Sequence, residues 1–133
     1  MVIADRHGLP VACRVASASP HETKLVEATV AQRFTQAQPE RMIGDRAYDS
    51  DPLDQRLRQK QHIRLIAPHR YHRRRKNTPD GRELRRYCRR WKIERLFAWL
   101  HNFRPLVSRW EYHEANFLGM LQLGCLVILL RNL

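Results

Sequence analysis

Short apolar runs broken by polar turns occupy the first half of the chain, and longer runs of helical period occupy the second. Two short apolar stretches, Val2 to Ala4 and Leu9 to Val15, flank the turn formers Asp5-Arg6-His7-Gly8, which predicts a hairpin over Met1 to Val15. Ser19-Pro20-His21-Glu22 places a capping residue, a proline and a glutamate in the order that starts a helix, predicted to run to about Phe34. Arg41 to Gly44 is a short, mostly apolar strand leading into a loop, Asp45 to Ser50. Ser50-Asp51-Pro52 opens a second capped helix to about Lys60, and Ile63 to Ala67 is a buried strand ending at Pro68. Strand and helix alternate, as in an α/β domain.

Beyond Pro68 the pattern changes. His69 to Gly81 is basic and holds Asn77-Thr78-Pro79-Asp80-Gly81, a cluster of turn formers, so it reads as a loop. Arg82 to Phe103 has helical periodicity and ends before Pro105. A last helix, about Glu114 to Arg131, includes an apolar run from Phe117 to Leu130 that is too short to span a bilayer. That helix is apolar on nearly every side and needs other elements to cover it, so an isolated chain is expected to be short of partners. With 133 residues and no internal repeat, residues 1–133 are expected to form one domain.

Charge narrows the function classes. Lys and Arg number 25 against 13 acids, a formal charge of +12, which points to a polyanionic partner, most commonly nucleic acid. The densest region is Arg70, Arg73, Arg74, Arg75 and Lys76, followed by Arg82, Arg85, Arg86, Arg89 and Arg90, expected to meet phosphates without reading bases. A solvated basic face is the plainer reading of the same run, since charge alone does not name a partner. Cys13, Cys88 and Cys125 form neither a disulfide framework nor a zinc spacing, and His69 and His72 with Cys88 complete no ligand set, so a reducing cytoplasm, in association with the nucleoid, is expected. No membrane segment is expected.

The segment richest in chemistry is Tyr87-Cys88-Arg89-Arg90-Trp91-Lys92-Ile93-Glu94, continuing to His101. At about 100° per residue, Tyr87, Arg90, Glu94 and His101 fall within roughly 60° of one another on a helix. Leu84, Trp91 and Ala98 border that stripe, so Glu94 is expected to be half-buried, paired or bound to a metal. A structural ion pair between Arg90 and Glu94, four residues apart, explains the spacing equally well. Trp91, Trp99 and Trp110 are candidates for stacking on bases, with core packing the commoner role and the expected one for Trp91.

Tyr87, Arg90 and Glu94 match three of the four positions of the Y-x-x-R-x-x-x-E-x(6)-K pattern of the DDE transposases of insertion-sequence families four and five, with His101 at the lysine position. Gly44-Asp45-Arg46-Ala47-Tyr48-Asp49-Ser50 resembles the segment around the second catalytic aspartate of the same enzymes. Resemblance extends from the Asp5–Pro10 hairpin to the terminal helix. It implies a ribonuclease-H-like α/β fold, incomplete at the N-terminus for want of its central first strand. It also implies that Asp45 and Glu94 are catalytic carboxylates and ligands of Mg²⁺ or Mn²⁺, with Tyr87, Arg90 and His101 near the DNA. Two such ions activate a nucleophile and stabilise a leaving oxygen, here in cleavage at transposon ends and strand transfer into a target.

The first aspartate of the family pattern has no counterpart here; Asp5 sits in a turn, where Asp is favoured for turn geometry. The chain therefore reads as the C-terminal part of a transposase, inactive alone, whose partners are DNA and either an upstream-encoded segment or a second copy. A stand-alone basic nucleic-acid-binding protein, with Asp45 and Glu94 structural, is the alternative.

Overall fold

The computed structural model describes residues 1–71 and 85–133. His72, Arg73, Arg74, Arg75, Lys76, Arg82 and Leu84, and the turn-forming cluster before Arg82, lie outside the described residues.

The expected hairpin forms, with strands β1 (Val2–Ala4) and β2 (Pro10–Cys13) antiparallel and Val2 opposite Cys13. Its turn is built by Asp5, whose Oδ1 accepts from the backbone N–H of His7 at 2.8 Å and of Leu9 at 2.9 Å. Gly8 lies at φ +84, and a Cβ there would meet the Arg95 guanidinium at 2.8 Å and the Lys92 carbonyl at 3.2 Å. Backbone and side chain thus both demand glycine. Gly8→Ala is expected to lower stability by about 1–3 kcal/mol, from the left-handed backbone alone, seen as a lower midpoint in thermal unfolding with a native far-ultraviolet spectrum at room temperature.

The first helix is shorter than expected. A single 3-10 turn at Glu22–Lys24 precedes α1 (Val26–Ala31), and the side chain that caps the turn is His21, accepting from Thr23 N, instead of Ser19. The chain then returns to β2, where Phe34 N donates to Val11 O at 2.8 Å and Arg33 bridges Ala12. That bridge is what ends the helix before Phe34.

β3 (Arg41–Ile43), α2 (Asp51–Gln61) and β4 (Arg64–Ile66) follow as a β-α-β unit with the strands parallel, Met42 opposite Leu65. Pro52 stands in the first turn of α2 where the sequence places its start, although Ser50 makes no side-chain cap bond, and His62 closes the helix in the left-handed conformation without having been singled out in the sequence. The described strands form two separate two-stranded sheets that share a core. Val26 and Val30 of α1, Leu53 and Leu57 of α2, and Ile63 are buried together, with Ile3 of β1, Met42 of β3 and Leu65 of β4 packed against them.

The second core lies on the other side of the hairpin. Residues 85–87 are helical, Cys88–Arg90 form a 3-10 turn, and α3 (Trp91–Leu100) continues from it. α3 buries Leu96 and Leu100 with Cys13 of β2, joined by Leu121, Cys125 and Ile128 of α5 (Glu114–Leu130). Between them Arg104–Val107 makes a short helix, α4, that the sequence reading took for a break: Pro105 stops α3 from continuing and starts a new turn. α5 spans the expected range, but only one side is covered. Met120, Leu123, Leu126 and Leu130 are exposed, and Phe103, Leu106, Met120, Leu123, Gly124 and Val127 line a shallow apolar groove. No helix among the described residues is long and apolar enough to cross a membrane.

The expected packing of α3 is corrected. Its core face carries Ile93, Leu96 and Leu100, a stripe at i, i+3 and i+7, so the stripe bordered by Trp91 and Ala98 turns outward. Trp91 is consequently 51% exposed instead of core, and the Glu94 side chain is 62% exposed instead of half-buried. Three large aliphatics outweigh one indole and one methyl in choosing the buried side.

Candidate active site

Asp45 stands immediately after β3, separated from it by Gly44, whose N–H donates to Ile66 O at 3.0 Å and so extends the pairing with β4 to the edge of the turn. A Cβ on Gly44 would lie 2.9 Å from the Tyr48 ring, so the tight turn after the strand depends on that glycine. Asp45 caps a 3-10 turn, Arg46–Tyr48, its Oδ1 accepting from Ala47 N at 2.8 Å. The carboxylate is half-buried, and among the described residues no Lys, Arg or His makes an ion pair with it. In a chain of charge +12 that is an unusual place for an acid. The neighbouring Tyr48 hydroxyl is pushed well above the ordinary tyrosine range, chiefly by burial, then by the charge of Glu22 and its hydrogen bond, with Asp45 adding repulsion.

The turn is held from outside by the three residues that follow β4 and Pro68. Arg70 N donates to Asp49 Oδ2 at 2.8 Å, and His69 Nδ1 lies 3.2 Å from Asp49 Oδ1. The Arg70 guanidinium donates to the carbonyls of Arg46 at 3.1 Å and Ala47 at 2.7 Å, while the Arg46 guanidinium sits 4.4 Å over the Tyr71 ring. Sequence reasoning missed this clasp, and its only visible sign was a second aspartate four residues after Asp45.

The predicted second half of the site forms a local network. Arg90 donates to the Tyr87 hydroxyl at 2.8 Å and to Glu94 Oε1 at 3.1 Å, and its guanidinium lies 5.3 Å from the Tyr87 ring centre. These three residues are thus brought together across the 3-10 turn. His101 caps the end of α3 and is exposed, outside the network. Arg95 stacks between Trp91 and Trp99, at 4.9 and 4.7 Å, and bonds the His7 carbonyl, while Lys92 bonds the Arg6 carbonyl, so α3 grips the hairpin turn. Arg70, Arg85, Arg86, Arg89 and Arg90 are all exposed.

Asp45 and Glu94 share no hydrogen bond, and among the described residues no three His, Cys, Asp or Glu side chains converge as a metal cage would require. Asp45 stands at a rigid strand end with one oxygen left over from capping and, among the described residues, no ion-paired cation. Glu94 is ion-paired with Arg90 at 3.1 Å, with both side chains exposed.

The chain belongs to the transposase DDE domain family, which it matches over residues 1–130. It is 30% identical over 135 residues to the Burkholderia cepacia protein assigned as the transposase of insertion sequence element IS402, covering 96% of this chain and 60% of that relative. No solved structure matches it.

Proposed function

We propose that the chain is the C-terminal portion of an insertion-sequence transposase catalytic domain, of the families-four-and-five type, with a ribonuclease-H-like fold completed by one further strand. It binds transposon ends and target DNA, and Asp45 with Glu94 supplies two of the carboxylates that hold Mg²⁺ or Mn²⁺ for cleavage and strand transfer. The observation that carries the reading is Asp45, half-buried at the end of β3 and without a cationic partner among the described residues of a strongly basic chain, within a family match that spans nearly every residue.

The strand edges support the completion. Met1 and Arg14 exchange backbone bonds, and Asp5 N donates to Leu9 O, so Met1, Ile3 and Asp5 face β2 while the backbone groups of Val2 and Ala4 point to the opposite edge. Arg64 N donates to Glu40 O and Gly44 N to Ile66 O, which leaves the backbone groups of Arg41 and Ile43 facing away from β4. Both edges lie over the one core of α1 and α2. A further strand, antiparallel to β1 or parallel to β3, pairs with such an edge, and one beside β3 ends next to Asp45, the place proposed for a third carboxylate. Such a strand comes from an upstream-encoded segment; a second copy of the chain is the other candidate source. When bound, the divalent ions stabilise the attacking and leaving oxygens of phosphoryl transfer. The protein's own part is to hold carboxylates on rigid elements and to grip phosphates through Arg70, Arg73, Arg74, Arg75, Lys76 and the exposed arginines before α3, with Tyr87, Arg90 and His101 beside the DNA.

The Arg90–Glu94 pair favours a second reading, a basic nucleic-acid-binding protein in which Glu94 is structural. A plasmid assay separates the consequences. Purified chain with Mg²⁺ is expected to bind supercoiled DNA and leave it uncut, because among the described residues no third carboxylate joins Asp45 and Glu94. Nicking by the chain alone that vanishes in Asp45→Ala would overturn the claim that a further strand is needed. Nicking restored by adding a strand-bearing upstream segment would exclude the purely structural reading.

A further inference from the structure

We propose that Asp49, together with His69 and Arg70, is a positioning clasp that sets the direction of the Asp45 carboxylate; this rests on the reading of Asp45 as a metal ligand. The Asp49 side chain is only 7% exposed, yet it sits in a surface turn, and both of its oxygens are engaged by the segment that leaves β4. Arg70 adds two donors to the carbonyls of Arg46 and Ala47. The turn between Asp45 and Asp49 is a single 3-10 turn with one side-chain cap, which has little stability of its own. What fixes it is therefore the far strand: β4 is registered against β3 by backbone bonds, and residues 69–71 carry that register back onto the turn. Ala47 is the link to the carboxylate, since its N–H is donated to Asp45 Oδ1 and its carbonyl is held by Arg70. Asp49 touches no reacting atom in this scheme; it acts through the backbone on Asp45.

The geometry also explains why a two-oxygen or amide side chain of this length is wanted at position 49. Its two oxygens accept from a backbone N–H and face an imidazole at once. An asparagine keeps one acceptor for Arg70 N and loses the charge facing His69, whereas an alanine loses both.

The test is amide hydrogen exchange and Mn²⁺ binding on the whole chain, comparing wild type with Asp49→Ala, Asp49→Asn and Asp45→Asn. In Asp49→Ala the Ala47 amide is expected to exchange about 10-fold faster, as for loss of one hydrogen-bonded constraint, with α2 and β4 keeping wild-type protection. Mn²⁺ affinity is expected to fall about 10-fold, in the range for removal of a group that orients a ligand, and Asp49→Asn is expected to recover most of both. Unchanged exchange at Ala47, or equal acceleration in α2 and β4, overturns the clasp by making Asp49 idle or merely structural. Mn²⁺ binding abolished by Asp45→Asn but indifferent to Asp49→Ala overturns the clasp alone. Mn²⁺ binding indifferent to Asp45→Asn overturns the metal reading of Asp45, and the positioning role falls with it.

Discussion

Duplex DNA bound at about 50 mM salt is expected to lose on the order of 10³-fold in affinity by about 200 mM, because each phosphate neutralised by Lys or Arg releases condensed counterions. The magnitude follows from a footprint of about six phosphates, which gives a slope near −5 in log affinity against log salt. Five of the exposed arginines among the described residues, Arg70, Arg85, Arg86, Arg89 and Arg90, nearly supply that number, and Arg73, Arg74, Arg75 and Lys76 belong to the same stretch of sequence. Arg86→Ala and Arg89→Ala are each expected to reduce the slope by about one and to weaken different sequences alike, since phosphate contacts carry no base information. Fluorescence anisotropy over a salt series measures it. A flat salt dependence would mean that the +12 charge is a solvated surface and would remove DNA from the account.

Leu96→Ala is expected to cost about 2–5 kcal/mol, the range for emptying a fully buried leucine site. Leu96 has no exposed surface and touches both halves of the second core, Cys13 on the hairpin and Leu121, Cys125 and Ile128 on the terminal helix. Relaxation around the void is limited because Arg95 and Lys92 hold α3 against the hairpin turn on one side. A loss of that size lowers the unfolding midpoint by about 10–20 °C in a chain of this length, which calorimetry reads directly. The exposed leucines of the same terminal helix serve as the control: Leu126→Ala is expected to cost less than about 1 kcal/mol, as for a surface position. Equal effects at the two positions would contradict the division of α5 into a covered and an uncovered side.

Where local chemistry decides the structure, the sequence was easy to read. The Asp5 turn, the alternation of β3, α2 and β4, the start of α2 at Pro52 and the span of α5 all follow from turn formers, proline placement and apolar runs. The first helix was overestimated because Arg33 and Phe34 bond the β2 edge, a long-range pairing that outweighs helical propensity and leaves no local trace. The face of α3 was misassigned for a related reason. Trp91 and Ala98 define one apolar stripe and Ile93, Leu96 and Leu100 another, and the neighbours that choose between them, β2 and α5, are remote in sequence.

The candidate site was legible residue by residue but not as an arrangement. Tyr87, Arg90 and Glu94 do meet, because they are helical neighbours and the contact is local. Asp45 lies at its predicted strand end and bonds Ala47, while Glu94 bonds Arg90, and how the two are placed relative to each other depends on packing that motif spacing does not encode. Asp49 illustrates the gap best: its partners are 20 and 21 residues away, and only the parallel register of β3 and β4 brings them within reach.

Mn²⁺-induced line broadening in nuclear magnetic resonance spectra of the chain bound to duplex DNA tests the central claim most directly, that Asp45 is a functional metal ligand awaiting completion. The account predicts that Asp45, Arg46 and Ala47 broaden first and that Asp45→Asn erases the effect. Broadening spread evenly over surface acids such as Glu22, Glu27 and Asp54, and unchanged in Asp45→Asn, would contradict it.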